Sequence, residues 1–170
     1  MPIQTRPLFV GAHAARRFYL HIHPEGRARA GLVFVAPFAE EMNKSRRMVA
    51  LAARAFAAQG ISVLVVDLAG TGDSAGDFSD ARWDIWLDDI AQAHAWLRKE
   101  INAPVGLWGL RLGALLASQA AVHLADTTPL LLWQPVLSGK THLTQFLRLK
   151  VAAEALVSGA KPSTTQHWME

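Results

Sequence analysis

The sequence predicts a mainly parallel α/β sheet with helices on both faces and an antiparallel hairpin at its N-terminal side. Three observations predict it. Residues 31–37 and 61–67 are near-continuous apolar runs, the pattern of strands buried on both faces. Strands of this kind alternate with amphipathic stretches of about 12–20 residues, and that alternation argues a helix-covered parallel sheet. Residues 18–22 instead alternate apolar and polar side chains, which suits a half-exposed edge hairpin.

Taken in order, residues 8–11 and 17–23 read as the two hairpin strands, closed by Pro24, Glu25 and Gly26. Residues 31–37 form the first buried strand. Residues 43–59 follow as a helix, because Met48, Leu51, Ala52, Ala55 and Phe56 recur on one face, and Gly60 suits its C′ position. Residues 61–67 form the next strand. Ser79 or Asp80 is expected to cap a long helix whose stripe includes Trp83, Trp86, Leu87, Ile90, Ala93 and Leu97. A strand and helix follow over residues 104–118, then a strand at 129–133 and a last helix at 141–157.

Composition narrows the function classes. At 170 residues the chain suits one domain with a real core. With 51% hydrophobic and 18% charged residues it is globular and not disordered. The net charge of +3 comes from 17 basic and 14 acidic residues without a basic run among aromatics, so no nucleic-acid partner is expected. The absence of cysteine excludes disulfides, thiolate zinc sites and a cysteine nucleophile. No apolar run reaches the ~18 residues a membrane span needs, and residues 1–7 lack the apolar core of a signal peptide. A cytoplasmic location is the expectation.

The chemistry centres on Gly109-Leu110-Arg111-Leu112-Gly113, set between a buried strand and an Ala/Leu helix. The spacing is that of the nucleophile elbow G-x-S-x-G, with arginine in the nucleophile's place. A guanidinium stays protonated at working pH and cannot attack, so no catalytic residue is assigned. It can instead recognise a carboxylate or phosphate bidentately, at a helix N-terminus that itself favours anions. The expected ligand-binding set is Arg111, the Leu112 N–H and the loop at Phe38 and Ala39; Pro37 has no N–H to give. A non-glycine residue at such an elbow is strained by roughly 1–3 kcal/mol, so something should hold it there. Pairing of Arg111 with Glu40 or Glu41 is the structural alternative, and both uses stay open.

Other candidates read as structural. Gly70 and Gly72 satisfy neither phosphate-loop pattern, so no nucleotide cofactor is expected. Ser118 reads as a packing residue and Ser138 as a turn or cap. Of His13, His21, His23, His94, His123, His142 and His167, the pair His21 and His23 shares a strand face without a third metal ligand. His94 and His123 are expected at the surface or its boundary. No metal site is assigned.

With these motifs in place, the chain resembles the α/β-hydrolase superfamily over residues 8 to about 150. The elbow, the strand order and the turn Asp67-Leu68-Ala69-Gly70-Thr71-Gly72-Asp73-Ser74 carry the resemblance, that turn being similar to the family's D-x-x-G-x-G-x-S crossing loop. More narrowly, residues 107–117 and 133–140 look like the second type of exosortase A system-associated hydrolase. The resemblance implies a hydrolase of an ester, thioester or amide with a small acyl or anionic substrate, and a protein partner in an exopolysaccharide/exosortase system. It also implies that the C-terminal strands bearing the acid and histidine are lacking, leaving an incomplete domain at 1–157, a flexible tail at 158–170 and an open sheet edge. A binding module or a scaffold protein is the alternative to an enzyme.

Overall fold

A computed structural model describes residues 2–124 and 128–158. The chain forms two compact units, Met1–Pro135 and Val136–Glu170, each taken by itself. The first holds six strands: β1 (Ile3–Val10), β2 (Arg17–Pro24), β3 (Ala30–Val35), β4 (Ile61–Val66), β5 (Val105–Leu110) and β6 (Leu130–Trp133). Three helices join them: α1 (Glu40–Ala58), α2 (Trp83–Ile101) and α3 (Leu112–His123). The described part of the second unit contains one helix, α4 (Gly139–Ser158). Residues 159–170, and with them nearly all of the tail expected at 158–170, lie outside the described residues. No described helix is long and apolar enough to cross a membrane.

The strands form one sheet in the order β1-β2-β4-β3-β5-β6, antiparallel at β1/β2 and β2/β4 and parallel elsewhere. Helix α1 covers one face, where Val49, Ala53 and Ala57 pack with Ile22, Phe34, Val63 and Trp108. Helices α2 and α3 cover the other, where Ile90, Leu97, Leu116 and Ala117 pack with Val33, Val35, Leu64 and Leu107. The mainly parallel sheet, the helices on both faces and the N-terminal hairpin are as the sequence predicts.

Three details differ. Strand β2 is not half-exposed: it lies between β1 and β4, and alternation misleads because its polar side chains meet protein and not water. His21 is 2% exposed and shares a 2.6 Å hydrogen bond between its Nε2 and Ser62 Oγ. Helix α1 begins at Glu40 and not Asn43, because the backbone turns at once after Ala39, and the two glutamates of its first turn favour the positive helix end. Neither Ser79 nor Asp80 caps α2. Residues Phe78–Asp80 close a separate 3₁₀ turn, and the N-cap is Arg82, without a side-chain cap bond. Gly60 does take the left-handed conformation after α1, at φ 78°, with its N–H on Ala57 O.

Candidate functional site

The site is built at the C-terminal edge of two neighbouring strands. β3 and β5 pair in parallel with Val35 opposite Gly109, so the loops that follow them emerge side by side. Both loops pass through a strained residue directly into a helix: Ala39 at φ 50°, ψ −124° before α1, and Arg111 at φ 56°, ψ −117° before α3. A non-glycine residue held there costs about 1–3 kcal/mol.

The elbow glycines are required by close approach and not by their own φ. A Cβ on Gly113 would lie 2.2 Å from the Val35 carbonyl oxygen, and one on Gly109 would lie 2.4 Å from Ala114 Cα. Glycine at both positions lets α3 start against the ends of β3 and β5. The residue between them is thereby lifted into the turn, and that residue is Arg111.

Arg111 Nε reaches Glu41 Oε1 at 3.3 Å, a long bond between side chains that are each more than a third exposed. The other carboxylate oxygen of Glu41, Oε2, is buried and has no hydrogen-bond partner among the described residues. Glu40 does not join them. It pairs with Lys44 at 2.9 Å, and that ammonium holds its carboxyl below the ordinary value. Leu112 and Gly113 open α3, where the first N–H groups lack an intrahelical acceptor and the helix dipole is positive.

Beside the elbow lies a pocket of about 190 Å³, walled by Phe38, Ala39, Met42, Leu68, Leu112 and Leu116 among others. Its far wall is aromatic: Phe38 lies 5.5 Å from Phe78 and 6.4 Å from Trp86 between ring centroids. The polar side-chain groups of the wall are committed elsewhere. Trp86 Nε1 donates to Ala69 O at 3.0 Å, and Thr71 Oγ1 donates to Leu68 O at 2.8 Å. The lining thus offers shape and apolar surface, and charge is confined to the elbow.

The loop after β4 that supplies Leu68, Gly70 and Gly72 is pinned from below. Asp89 on α2 accepts Arg17 Nε on Oδ1 at 2.8 Å and the Ala69 N–H on Oδ2 at 2.8 Å, with Arg17 8% and Asp89 3% exposed. Ser74 Oγ donates to Asp67 O and accepts the Phe18 N–H at 2.9 Å, tying the turn to β2. Burial raises the pKa of the Asp67 carboxyl, partly offset by the Asp73 N–H it accepts at 3.0 Å. Gly72 lies so close to that carboxylate that a Cβ would overlap Oδ2 at 1.9 Å.

The structure brings Phe38, Ala39, Arg111, Leu112 and Glu41 to one edge of the sheet. Ser118 Oγ donates to Ala114 O within α3, and Ser138 Oγ accepts from Thr141 near the start of α4. His94 is not a surface residue: it is 5% exposed, with its Nε2 3.0 Å from Val105 O, because that face of α2 lies over the sheet. His21 and His23 stack at 4.5 Å, and no group of three or more His, Cys, Asp or Glu among the described residues could hold a metal ion. His123 is exposed at the end of α3, His142 belongs to α4, and His167 lies outside the described residues. The sequence did not reveal the aromatic wall or the Arg17–Asp89 pair. Their members come from segments far apart in the chain, and only the apolar stripe of α2 hinted at either.

The chain is similar in fold to an α/β serine hydrolase without a lid from Xanthomonas campestris, with 23% identity and a TM-score of 0.61 over 72% of this chain and 58% of that one. It is similar to Est1E from Butyrivibrio proteoclasticus, solved with ferulic acid bound, at 18% identity, TM-score 0.67, and 84% and 56% coverage. It is similar too to a thermostable carboxyl esterase from Bacillus coagulans, at 18% identity, TM-score 0.63, and 94% and 52% coverage. At these identities the likeness is one of fold. The chain spans a little over half the length of these structures. No curated protein matches it. The sequence profile of the serine aminopeptidase S33 family matches residues 26–168, across both glycines of the elbow and the loop after β3. The chain belongs to that family of α/β hydrolases.

Proposed function

We propose that this chain is the elbow-bearing part of an esterase-like protein of the family, in which residue 111 recognises an anion instead of attacking an acyl group. The observation that carries the reading is Arg111 itself, held at φ 56° in the nucleophile's seat with the first N–H groups of α3 beside it. A guanidinium there is a permanent cation with five donors, and a carboxylate or phosphate satisfies it bidentately. The long bond to Glu41 leaves most of that capacity unused.

A melting experiment tests it. Phosphate and acetate should each raise the melting temperature of the wild type, and neither should raise that of Arg111→Ala. Equal responses in the two proteins would rule the site out.

A second reading keeps hydrolysis of an ester, thioester or amide, with water as the direct nucleophile. It is favoured by Leu112, which both walls the apolar pocket and opens α3. On this reading p-nitrophenyl esters are turned over and Arg111→Ala abolishes turnover; on the first, no turnover is measured in either protein. The resemblance at residues 107–117 and 133–140 supports extending the proposal to a cytoplasmic protein serving an exopolysaccharide/exosortase system, with a protein partner there.

A further inference from the structure

We infer that the ligand of the elbow is an apolar monocarboxylate, with its tail in the aromatic pocket and its carboxylate on Arg111 in the place now taken by Glu41. The inference rests on the anion reading above and names the ligand class for it.

Three features converge. The first is the pocket, which adjoins the elbow through Leu112, a residue that is at once pocket wall and first residue of α3. A group that fills the pocket therefore brings its head to the N–H groups at the start of that helix. The second is the chemistry of the lining. Phe38, Phe78, Trp86, Leu68, Met42 and Leu116 present apolar surface, and the N–H of Trp86 and the hydroxyl of Thr71 are already bonded to backbone carbonyls. A polar tail would lose its water and meet no free side-chain donor or acceptor on the aromatic wall, which selects against sugars and charged side chains. At ~30 Å³ per water-sized group, a volume of about 190 Å³ takes roughly six non-hydrogen atoms, a short alkyl chain or one aromatic ring.

The third feature is the state of Glu41. Its Oε1 reaches Arg111 at 3.3 Å, while its Oε2 is buried without a partner. A carboxylate placed like this is a poor counter-ion: it is desolvated on one oxygen and makes one long bond with the other. A ligand carboxylate approaching from the pocket can make two parallel bonds to the guanidinium and release Glu41, whose side chain is already 39% exposed, to water. Glu41 then acts as a resident competitor. It keeps the arginine neutralised when the site is empty and sets the affinity threshold for the ligand. Small anions with no tail gain only the arginine contact, so the pocket supplies selectivity for the tail.

Titration of the intact chain with acetate, hexanoate, phosphate and 1-hexanol, followed by calorimetry, tests this. Hexanoate should bind at least about tenfold more tightly than acetate, since four added methylenes enter the pocket. It should also bind more tightly than hexanol, which has the tail without the charge. Glu41→Gln should tighten hexanoate by about threefold or more, and Phe78→Ala, at a half-exposed ring, should weaken hexanoate while leaving acetate unchanged. If hexanoate binds no better than acetate while both still need Arg111, the tail assignment is wrong and the anion site stands. If Glu41→Gln weakens hexanoate, Glu41 is part of the site and not its competitor, and the displacement is wrong. If acetate, phosphate and hexanoate all fail to bind, or bind Arg111→Ala equally, the anion reading itself falls, and this inference with it.

Discussion

Replacing Asp89 by alanine is expected to cost the first unit about 3–5 kcal/mol of stability, read as a lowered denaturant midpoint at unchanged slope. The carboxylate is 3% exposed and serves two masters: it neutralises Arg17, itself 8% exposed, and it accepts the Ala69 N–H. Without it the buried guanidinium loses its counter-charge and keeps only the bonds from its Nη1 to the Ala14 and Arg16 carbonyls, and the Ala69 N–H is left buried and unpartnered. The magnitude follows from that desolvation and not from the strength of the pair, so removing both charges together should cost less. A double variant, Arg17→Met with Asp89→Leu, is expected to recover the share of the loss due to the unpaired guanidinium, leaving that of the Ala69 N–H. A single-variant loss under about 1 kcal/mol would mean that the pair behaves as a surface bridge and that the loop after β4 is held by other contacts. Because Leu68, Gly70 and Gly72 of that loop wall the pocket, Asp89→Ala should also weaken ligand binding.

Stability is expected to fall on mild acidification because of His21. Burial, reinforced by the charges of His23 and Arg6 and opposed by Glu100, lowers its pKa from the ordinary 6.5 to about 4. The unfolded chain therefore binds a proton below pH 6.5 that the folded chain refuses until about pH 4. Stability from this group is fully present above pH 6.5 and is lost as the pH falls from there to about 4, below which it stays constant. Between pH 7.5 and pH 5 the loss amounts to about 2 kcal/mol. Denaturant midpoints at the two pH values measure it, and His21→Gln, which can still bond Ser62 Oγ, should flatten the dependence. An unchanged pH dependence in that variant would show that another group carries it.

The architecture was legible because it rests on periodicity. Residues 31–37 and 61–67 are too apolar to sit anywhere but inside a sheet, and the stripes of α1 and α2 announce their buried faces. The elbow was legible for a different reason: Gly109 and Gly113 are spaced as the approach of a helix to two strand ends demands, and that demand is local. What escaped was non-local. Alternation in β2 suggested water beside His21, because nothing in the sequence says that Ser62 comes to meet it from 41 residues away. Arg17 and Asp89 are 72 residues apart and look like two ordinary surface charges until the fold buries both. The aromatic wall likewise draws Phe38, Phe78 and Trp86 from a loop, a 3₁₀ turn and a helix. His94 escaped because a polar residue within a helix reads as exposed unless its acceptor, here the Val105 carbonyl, is known.

We propose Arg111 in the nucleophile's seat as an anion receptor. The most direct measurement is a ¹⁵N–¹H correlation spectrum that resolves the Arg111 Nε–H and the amides of Leu112 and Gly113 during a titration with hexanoate. All three signals should shift together along one binding curve, and inorganic phosphate should move the same three signals with a weaker constant. Movement of signals elsewhere with these three unchanged up to saturation would contradict the account.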